Sequence, residues 1–392
     1  MPLQFHLLRD IRVQLQSHCP SRRQKKLSQD LQSGSYHTIV QSHRLFQAIL
    51  IAYFYRLPSL ESILSRCQRL VQTAHKSTLH KALKRRGCLR FVKEIYSHLI
   101  ESSAEEQSPL VAIDSMAVTL PKTQRHRCKR MNNNTVGGGA LIAFCLDTDE
   151  RKLTPVRVLK TIAGPWNDSY RIRDVELIAN GPIYLMDRGF VAYRNFEIWL
   201  EQSVHFIVRG KHNELFYDTK KVLLRKPRPL GQSAMLIEDS LVVLGIAANS
   251  KKKGRPYLRL LRRQNQKGME IILFTDLFDV PAEQVFAMYR RRWEIETFFR
   301  HLKDYLGMGH LYSFDQRGIE FLFYSAIILA TLIMQAGSNC GGKTVEQMNQ
   351  LLNALREGAG LDKKWSRNTI VRGRRKAKKQ GAKSKPGKRG NW

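Results

Sequence analysis

Apolar residues in the first hundred positions recur at helical intervals. The stretch "RLFQAILIAYFYRLPSLESILSRCQRLVQ" reads as an apolar helix, a break at Leu57-Pro58-Ser59, and a second helix with Ser59 placed to cap it. "STLHKALKRRG" adds a short helix with a basic end that Gly87 would close. From about residue 108 the texture changes to strands. "LVAIDSMAVTL", "ALIAFCLDTD" and "LTPVRVLKTI" are three β-type runs. "SYRIRDVELIAN" then reads as a helix ending at Asn180-Gly181, "PIYLMDRGF" as a strand, "YRNFEIWLEQS" as a helix and "VHFIVRG" as a strand. Three strands, a helix, then strand, helix and strand predict an α/β layered domain with a mixed sheet.

Residues 211–280 interrupt that order with strand-type runs, "SLVVLGIAA", "RPYLRLLRR" and "MEIILFTDL". The helix that completes the layer follows, over 281–306. "FLFYSAIILATLIM" is an apolar run shorter than the ~20 residues that span a bilayer, so it reads as a buried helix. The expected organisation is a helical region over 1–105, an α/β core from 106–210 and 281–340, a β-rich insertion over 211–280, and a C-terminal segment over 341–392 that ends in a basic, disordered tail.

Charge narrows the class of partner. The 392 residues carry 66 Lys and Arg against 33 Asp and Glu, a formal net charge of +33. The run from Lys363 to Trp392 contains no acid, yet the body remains strongly basic without it. A field of that size points to a polyanion, and nucleic acid is the usual one. Helix, break and basic helix before residue 105 are compatible with a helix-turn-helix-like DNA reader, a weak signal because the pattern is common in ordinary bundles. The 6 cysteines form no CxxC pair, which argues against a zinc ribbon or a disulfide framework and fits a reducing cytoplasm. The opening "MPLQFHLLRD" has no apolar run long enough for a signal peptide.

Candidate chemistry begins with two aspartates. Asp114 and Asp187 each end an apolar run, "LVAID" and "IYLMD". On neighbouring strands their carboxylates would lie close together, and a divalent cation would relieve their repulsion. The alternative is that each caps the turn after its strand. Asp147, Asp149 and Asp276 fit the same description, so the pattern offers more acids than a site needs.

The helix at 281–306 separates them. Met288, Ile295, Phe298, Phe299, Leu302 and Leu306 share one face at about 100° per residue. Tyr289, Arg292, Glu296 and Lys303 form a stripe about 60° wide along its border. A phosphodiester lying there would meet a hydroxyl and two cations around Glu296. An Arg292–Glu296 pair at i,i+4 explains two of these residues and leaves Tyr289 and Lys303 without a task. Asp114, Asp187 and Glu296 together would hold two hard cations suited to phosphoryl transfer, and magnesium matches an all-carboxylate set.

The spacing Tyr289, two residues, Arg292, three residues, Glu296, six residues, Lys303 resembles the motif of IS4-family transposases. "AID" and "LMDRGF" before it strengthen the resemblance, which spans about 108–335. It implies a DDE transposase with an RNase H-like core, a mixed five-stranded sheet with helices, interrupted by a β insertion. It implies Asp114, Asp187 and Glu296 as the catalytic, metal-binding triad for Mg2+, with Mn2+ able to substitute. Tyr289, Arg292 and Lys303 become contacts to DNA phosphates. Implied partners are the terminal inverted repeats and target DNA, bound by a homodimer in the cytoplasm at the nucleoid. The family commonly has Asn where Asp276 stands, which sets that acid aside. Trp166 and Trp293 are aromatics that could stack on a base or simply pack. The competing readings are an RNase H-fold nuclease without strand transfer and a non-catalytic DNA-binding protein.

Overall fold

The computed structural model describes residues 40–71, 75–101, 108–119, 130–131, 134–146, 153–163, 172–211, 217–244, 257–308, 312–313, 315–339 and 353. Asp147, Asp149, Trp166 and the basic tail lie outside them. Helices come first: α1 (Ser42–Phe54), α2 (Leu60–Arg66), a single further turn over Gln68–Val71, α3 (Lys76–Leu83) and α4 (Arg86–Glu101). Ser59 caps α2 as expected, its hydroxyl accepting from the Ser62 amide at 3.2 Å. Gly87 does not close α3, whose C-cap is Lys84; it falls in the first turn of α4.

Eleven strands form one mixed sheet: β1 (Leu110–Thr119), β2 (Arg130–Met131), β3 (Asn134–Leu146), β4 (Leu153–Ala163), β5 (Ile183–Met186), β6 (Phe206–Arg209), β7 (Tyr217–Val222), β8 (Arg228–Pro229), β9 (Ala234–Leu244), β10 (Leu258–Asn265) and β11 (Glu270–Thr275). Its central part runs β4–β3–β1–β5–β6. The first three strands are antiparallel, and β1, β5 and β6 are parallel. The insertion does not form a separate layer. β11 pairs antiparallel with β6, and β10, β9 and β7 follow outward, so the five expected strands become the middle of a wider sheet.

Alternation along the strands divides the core in two. Val111, Ile113, Tyr184, Met186, Phe206, Val208 and Phe274 turn to a face covered by α5 (Tyr193–Glu201), where the Phe196 and Phe206 rings stack with centroids 5.4 Å apart. Leu110, Ala112, Met116, Leu185, Ile207, Leu261 and Leu273 turn to the opposite face. There they join α1, α4, α6 (Ala282–Arg290), α7 (Trp293–Arg300) and α8 (Gln316–Asn339) in a single buried cluster. The helices before residue 101 therefore share a core with the sheet and α8.

Among its described residues, the segment expected to be helical before Asn180 is so only over Ile172–Asp174, as a 3-10 turn. Its later backbone is used otherwise. The Ile178 amide donates to the Tyr184 hydroxyl at 3.0 Å, and Asn180 turns the chain at φ 49°. Helix α8 is apolar and long enough to cross a membrane by length and composition, but 83% of its 18-residue apolar window is buried inside the protein. It is the core helix the sequence suggested.

Candidate active site

The two aspartates meet by strand register. The parallel pairing of β1 and β5 ends at Ile113↔Met186, so Asp114 and Asp187 occupy the next position on each chain. Asp114 shares the parity of Ala112 and Met116. Asp187, still extended at φ −83° and ψ −179°, shares that of Leu185. Both carboxylates therefore start from the face on which α6 and α7 pack. Local turn bonds coexist with this placement: Asp187 Oδ1 accepts from the Gly189 amide at 2.7 Å, and Asp114 Oδ1 from the Ser115 amide at 2.7 Å. The second oxygen of each is left to other partners.

The expected helix over 281–306 is three pieces. Pro281 stands at the N-cap of α6, and the chain tightens at Arg291–Arg292 before α7 begins. The Arg292 amide returns to Tyr289 and the Glu294 amide to Arg291, each a three-residue step. A wider turn over His301–Tyr305 follows, closed by the Leu306 amide on the His301 carbonyl at 3.1 Å, and Gly307 ends it at φ 68°. Ile295, Phe298, Phe299, Leu302 and Leu306 are buried, which fixes the border stripe against the sheet. α7 packs on β1.

That border carries the polar residues singled out by spacing. The Arg292 guanidinium donates from Nη1 to Asp114 Oδ2 at 3.3 Å and from Nη2 to Glu296 Oε1 at 2.5 Å. Its side chain is 10% exposed, against 18% for Asp114 and 32% for Glu296. The i,i+4 pair is thus present, but it is half of a bridge between strand and helix. Tyr289 lies beside Arg292, whose guanidinium carbon is 5.9 Å from its ring centroid. Burial pushes the Tyr289 hydroxyl up to about 12, with Asp187 adding to the effect and Arg292 and Arg209 opposing it. Partial desolvation lowers the exposed Lys303 ammonium, while Asp114 and Asp304 hold it up. All six expected residues thus belong to one neighbourhood.

Asp276 is engaged elsewhere. Its Oδ2 lies 2.7 Å from His205 Nδ1, and its Oδ1 accepts from the Phe206 amide at 2.9 Å. Trp293 is 57% exposed and points away from the core.

Register also places cations that spacing did not reveal. Arg209 of β6 pairs with Leu273, and Arg263 of β10 pairs with Ile271, so both sit on the face of the aspartates. Arg263 covers the Phe286 ring of α6 at 5.1 Å, and its guanidinium is lowered by burial and by the charges of Arg290 and Arg209. Across this face, acids on β1 and β5 give way to arginines on β6 and β10. The alternation of "FIVR" and "LRLLRR" was visible in sequence, but the strand neighbours were not.

Among the described residues no group of three or more His, Cys, Asp or Glu side chains is gathered closely enough to hold a metal ion as the chain stands. Arg292 lies between Asp114 and Glu296 instead. The donor set nonetheless suits a hard cation. It is all carboxylate oxygen, on one face, with Asp114 and Asp187 one strand apart.

Paired strand-end aspartates with a glutamate-bearing helix against them are an arrangement whose carboxylates could hold hard cations for phosphoryl transfer. The family described as "Transposase DDE domain" matches residues 105–332, more than half of the chain, and the chain belongs to that family. It is 25% identical over 151 residues to "Probable transposase for insertion sequence element IS5377" of Geobacillus stearothermophilus, covering 38% of each protein. It is 27% identical over 157 residues to "Putative transposase y4zB" of Sinorhizobium fredii (strain NBRC 101917 / NGR234), covering 40% of this chain and 43% of that protein. The chain spans about two fifths of the length of these curated relatives.

Proposed function

We propose that this protein is an insertion-sequence transposase of the IS4 type, which binds terminal inverted repeats, cleaves DNA and joins the freed 3′ ends to target DNA. In this reading the strand order β4–β3–β1–β5–β6 is an RNase H-like core and Asp114, Asp187 and Glu296 are its catalytic carboxylates. The observation that carries it is the register of β1 and β5, which puts Asp114 beside Asp187 on the face packed by the helix of Glu296.

Each residue has a task that follows from its chemistry. The three carboxylates would hold divalent cations, magnesium by hardness and Mn2+ as a substitute, and when bound these supply Lewis-acid stabilisation of the attacking and leaving oxygens. Tyr289 keeps its proton, because its hydroxyl is pushed up to about 12, so it can donate to a phosphate oxygen throughout the physiological range. Arg292 offers a planar, bidentate donor to the same backbone and Lys303 a point charge. Arg209, Arg263 and Arg290 continue the cationic track away from the acids, along the insertion. The helices before residue 105 and the basic tail would add contacts to the DNA ends. Two ends require two active sites, hence a homodimer on DNA, acting at the nucleoid in the cytoplasm.

The test uses a duplex containing the DNA that flanks the coding region, with Mg2+, and a second substrate already cut at its 3′ end. The expected result is joined product from the parent protein and loss of cleavage by roughly 10²-fold or more in Asp187→Asn, a scale that even outer-shell partners of a metal site reach. Binding and its salt dependence should persist in the variant, because Lys and Arg carry that slope. Hydrolysis without joining would leave a nuclease. Normal cutting by Asp187→Asn, or cutting that persists in EDTA, would remove the assignment.

A further inference from the structure

Outside the candidate active site, a groove lies between α4 and the first turns of α8. It is a cavity of about 610 Å³ lined by Arg86, Leu89, Arg90, Lys93, Arg317 and Glu320. Four cations face one carboxylate. Glu320 is taken by Lys93, Nζ to Oε2 at 2.9 Å, and Lys93 also lies 5.3 Å from the Tyr324 ring centroid. Arg86, Arg90 and Arg317 are exposed and make no side-chain ion pair or hydrogen bond with the described residues. Like charges one turn apart, as Arg86 and Arg90 are, weaken a helix. Among the described residues no acid pairs with either arginine to offset that cost.

The two helices also run in the same direction. Lys93 meets Glu320, and one turn further along both helices the Tyr96 and Tyr324 rings meet edge to face at 5.0 Å. Their N-terminal ends are therefore side by side, and the partial positive charges of both add to the side-chain field. Arg86, Arg90 and Lys93 stand at i, i+4 and i+7, on one helix face and spread over about 10 Å. A small anion cannot span that length, but a strand with a phosphate every 3.4 Å or so of helix axis can. Leu89 and the aliphatic part of Lys93 give the groove an apolar floor suited to sugars.

We infer that this groove seats a stretch of DNA backbone distinct from the phosphodiester that is cut. The inference rests on the transposase reading above and adds to it a place on the N-terminal helices and α8 that is independent of the carboxylates. Arg86, Arg90 and Arg317 hold phosphates there, and Glu320 keeps Lys93 in place on the groove wall.

The experiment compares the full-length parent with a triple variant, Arg86→Ala, Arg90→Ala and Arg317→Ala, and with a second triple variant carrying Lys at the same three positions. A random-sequence duplex is titrated at several salt concentrations, and cleavage of end-containing duplex is timed at saturating protein. The alanine variant should lose about two to three units from the slope of log K against log salt, since each phosphate contact contributes about 0.9. Its cleavage rate at saturation should match the parent, and the lysine variant should recover most of the slope. A parent-like slope in the alanine variant, with a parent-like melting curve, overturns the groove while leaving the transposase reading intact. A parent that neither binds duplex in a salt-dependent way nor cuts it overturns that reading, and the groove with it.

Discussion

Arg292 spans 178 residues of chain to reach Asp114, Nη1 to Oδ2 at 3.3 Å, and the same guanidinium holds Glu296 at 2.5 Å. One cation is therefore shared between two of the three proposed catalytic carboxylates. A metal ion bound by those oxygens has to compete with it. Replacing Arg292 by Ala leaves two partly buried carboxylates without their shared donor, at a cost on the order of 1–3 kcal/mol. Added Mg2+ should then raise the melting temperature of Arg292→Ala more than that of the parent. Equal responses to Mg2+ in thermal melts would show that guanidinium and metal do not share a site.

The aspartates and the border stripe were legible because apolar runs and a 3.6-residue period survive local irregularity. The break at Arg291–Arg292 was not legible. It tightens the chain by three-residue steps, and the turn at His301–Tyr305 widens it again, so Arg292, Glu296 and Lys303 remain near Asp114. Two other features depend on contacts that no local pattern encodes. The Ile178 amide bonds to a tyrosine on a later strand instead of a helical carbonyl. The placement of Arg209 and Arg263 on one face comes from β6 pairing β11, and β11 pairing β10.

Tyr289 gives a prediction at alkaline pH. Its hydroxyl rises from an ordinary value near 10 to about 12 through burial. Between those values the folded protein keeps the proton and the unfolded chain loses it. Stability must then fall as pH rises through that window and be unaffected by this group below it. Tyr53 and Tyr312 are also raised by burial and steepen the same fall. Tyr289→Phe should flatten the decline of the urea midpoint between pH 10 and about 12 without abolishing it. An unchanged slope would mean that the hydroxyl is not buried as described.

Asp276 separates a structural acid from the proposed catalytic ones. It accepts from the Phe206 amide and sits 2.7 Å from His205, so it joins the end of β11 to the start of β6. Asp276→Ala should destabilise by about 1–3 kcal/mol, the cost of an unsatisfied amide and a lost charged acceptor. Cleavage per folded molecule should stay at the parent level, measured where both proteins are fully folded. A selective loss of cleavage with normal stability would return Asp276 to the list of candidate ligands.

The insertion is anchored to the helix of Tyr289 through Arg259. Its Nε and Nη2 grip Asp239 at 2.9 and 2.8 Å, and its Nη1 donates to the carbonyls of Leu277, Phe278 and Val280 at 2.9, 3.2 and 2.5 Å. Those carbonyls belong to the segment that leads into α6. The Asp239 side chain is 11% exposed, so removing its partner leaves a carboxylate that water reaches poorly. Arg259→Ala should cost about 3–5 kcal/mol in urea unfolding, as broken buried pairs do. Joining Arg259→Met to Asp239→Leu should restore only part of that loss, because the three carbonyls still lack a donor. By contrast Glu283→Ala, at the exposed Arg228–Glu283 pair on the same helix, should stay within about 0.5 kcal/mol of the parent. If Arg259→Ala costs no more than Glu283→Ala, the insertion is not held to α6 by this residue, and the position of Tyr289 must depend on the apolar contacts of Val285 and Phe286 alone.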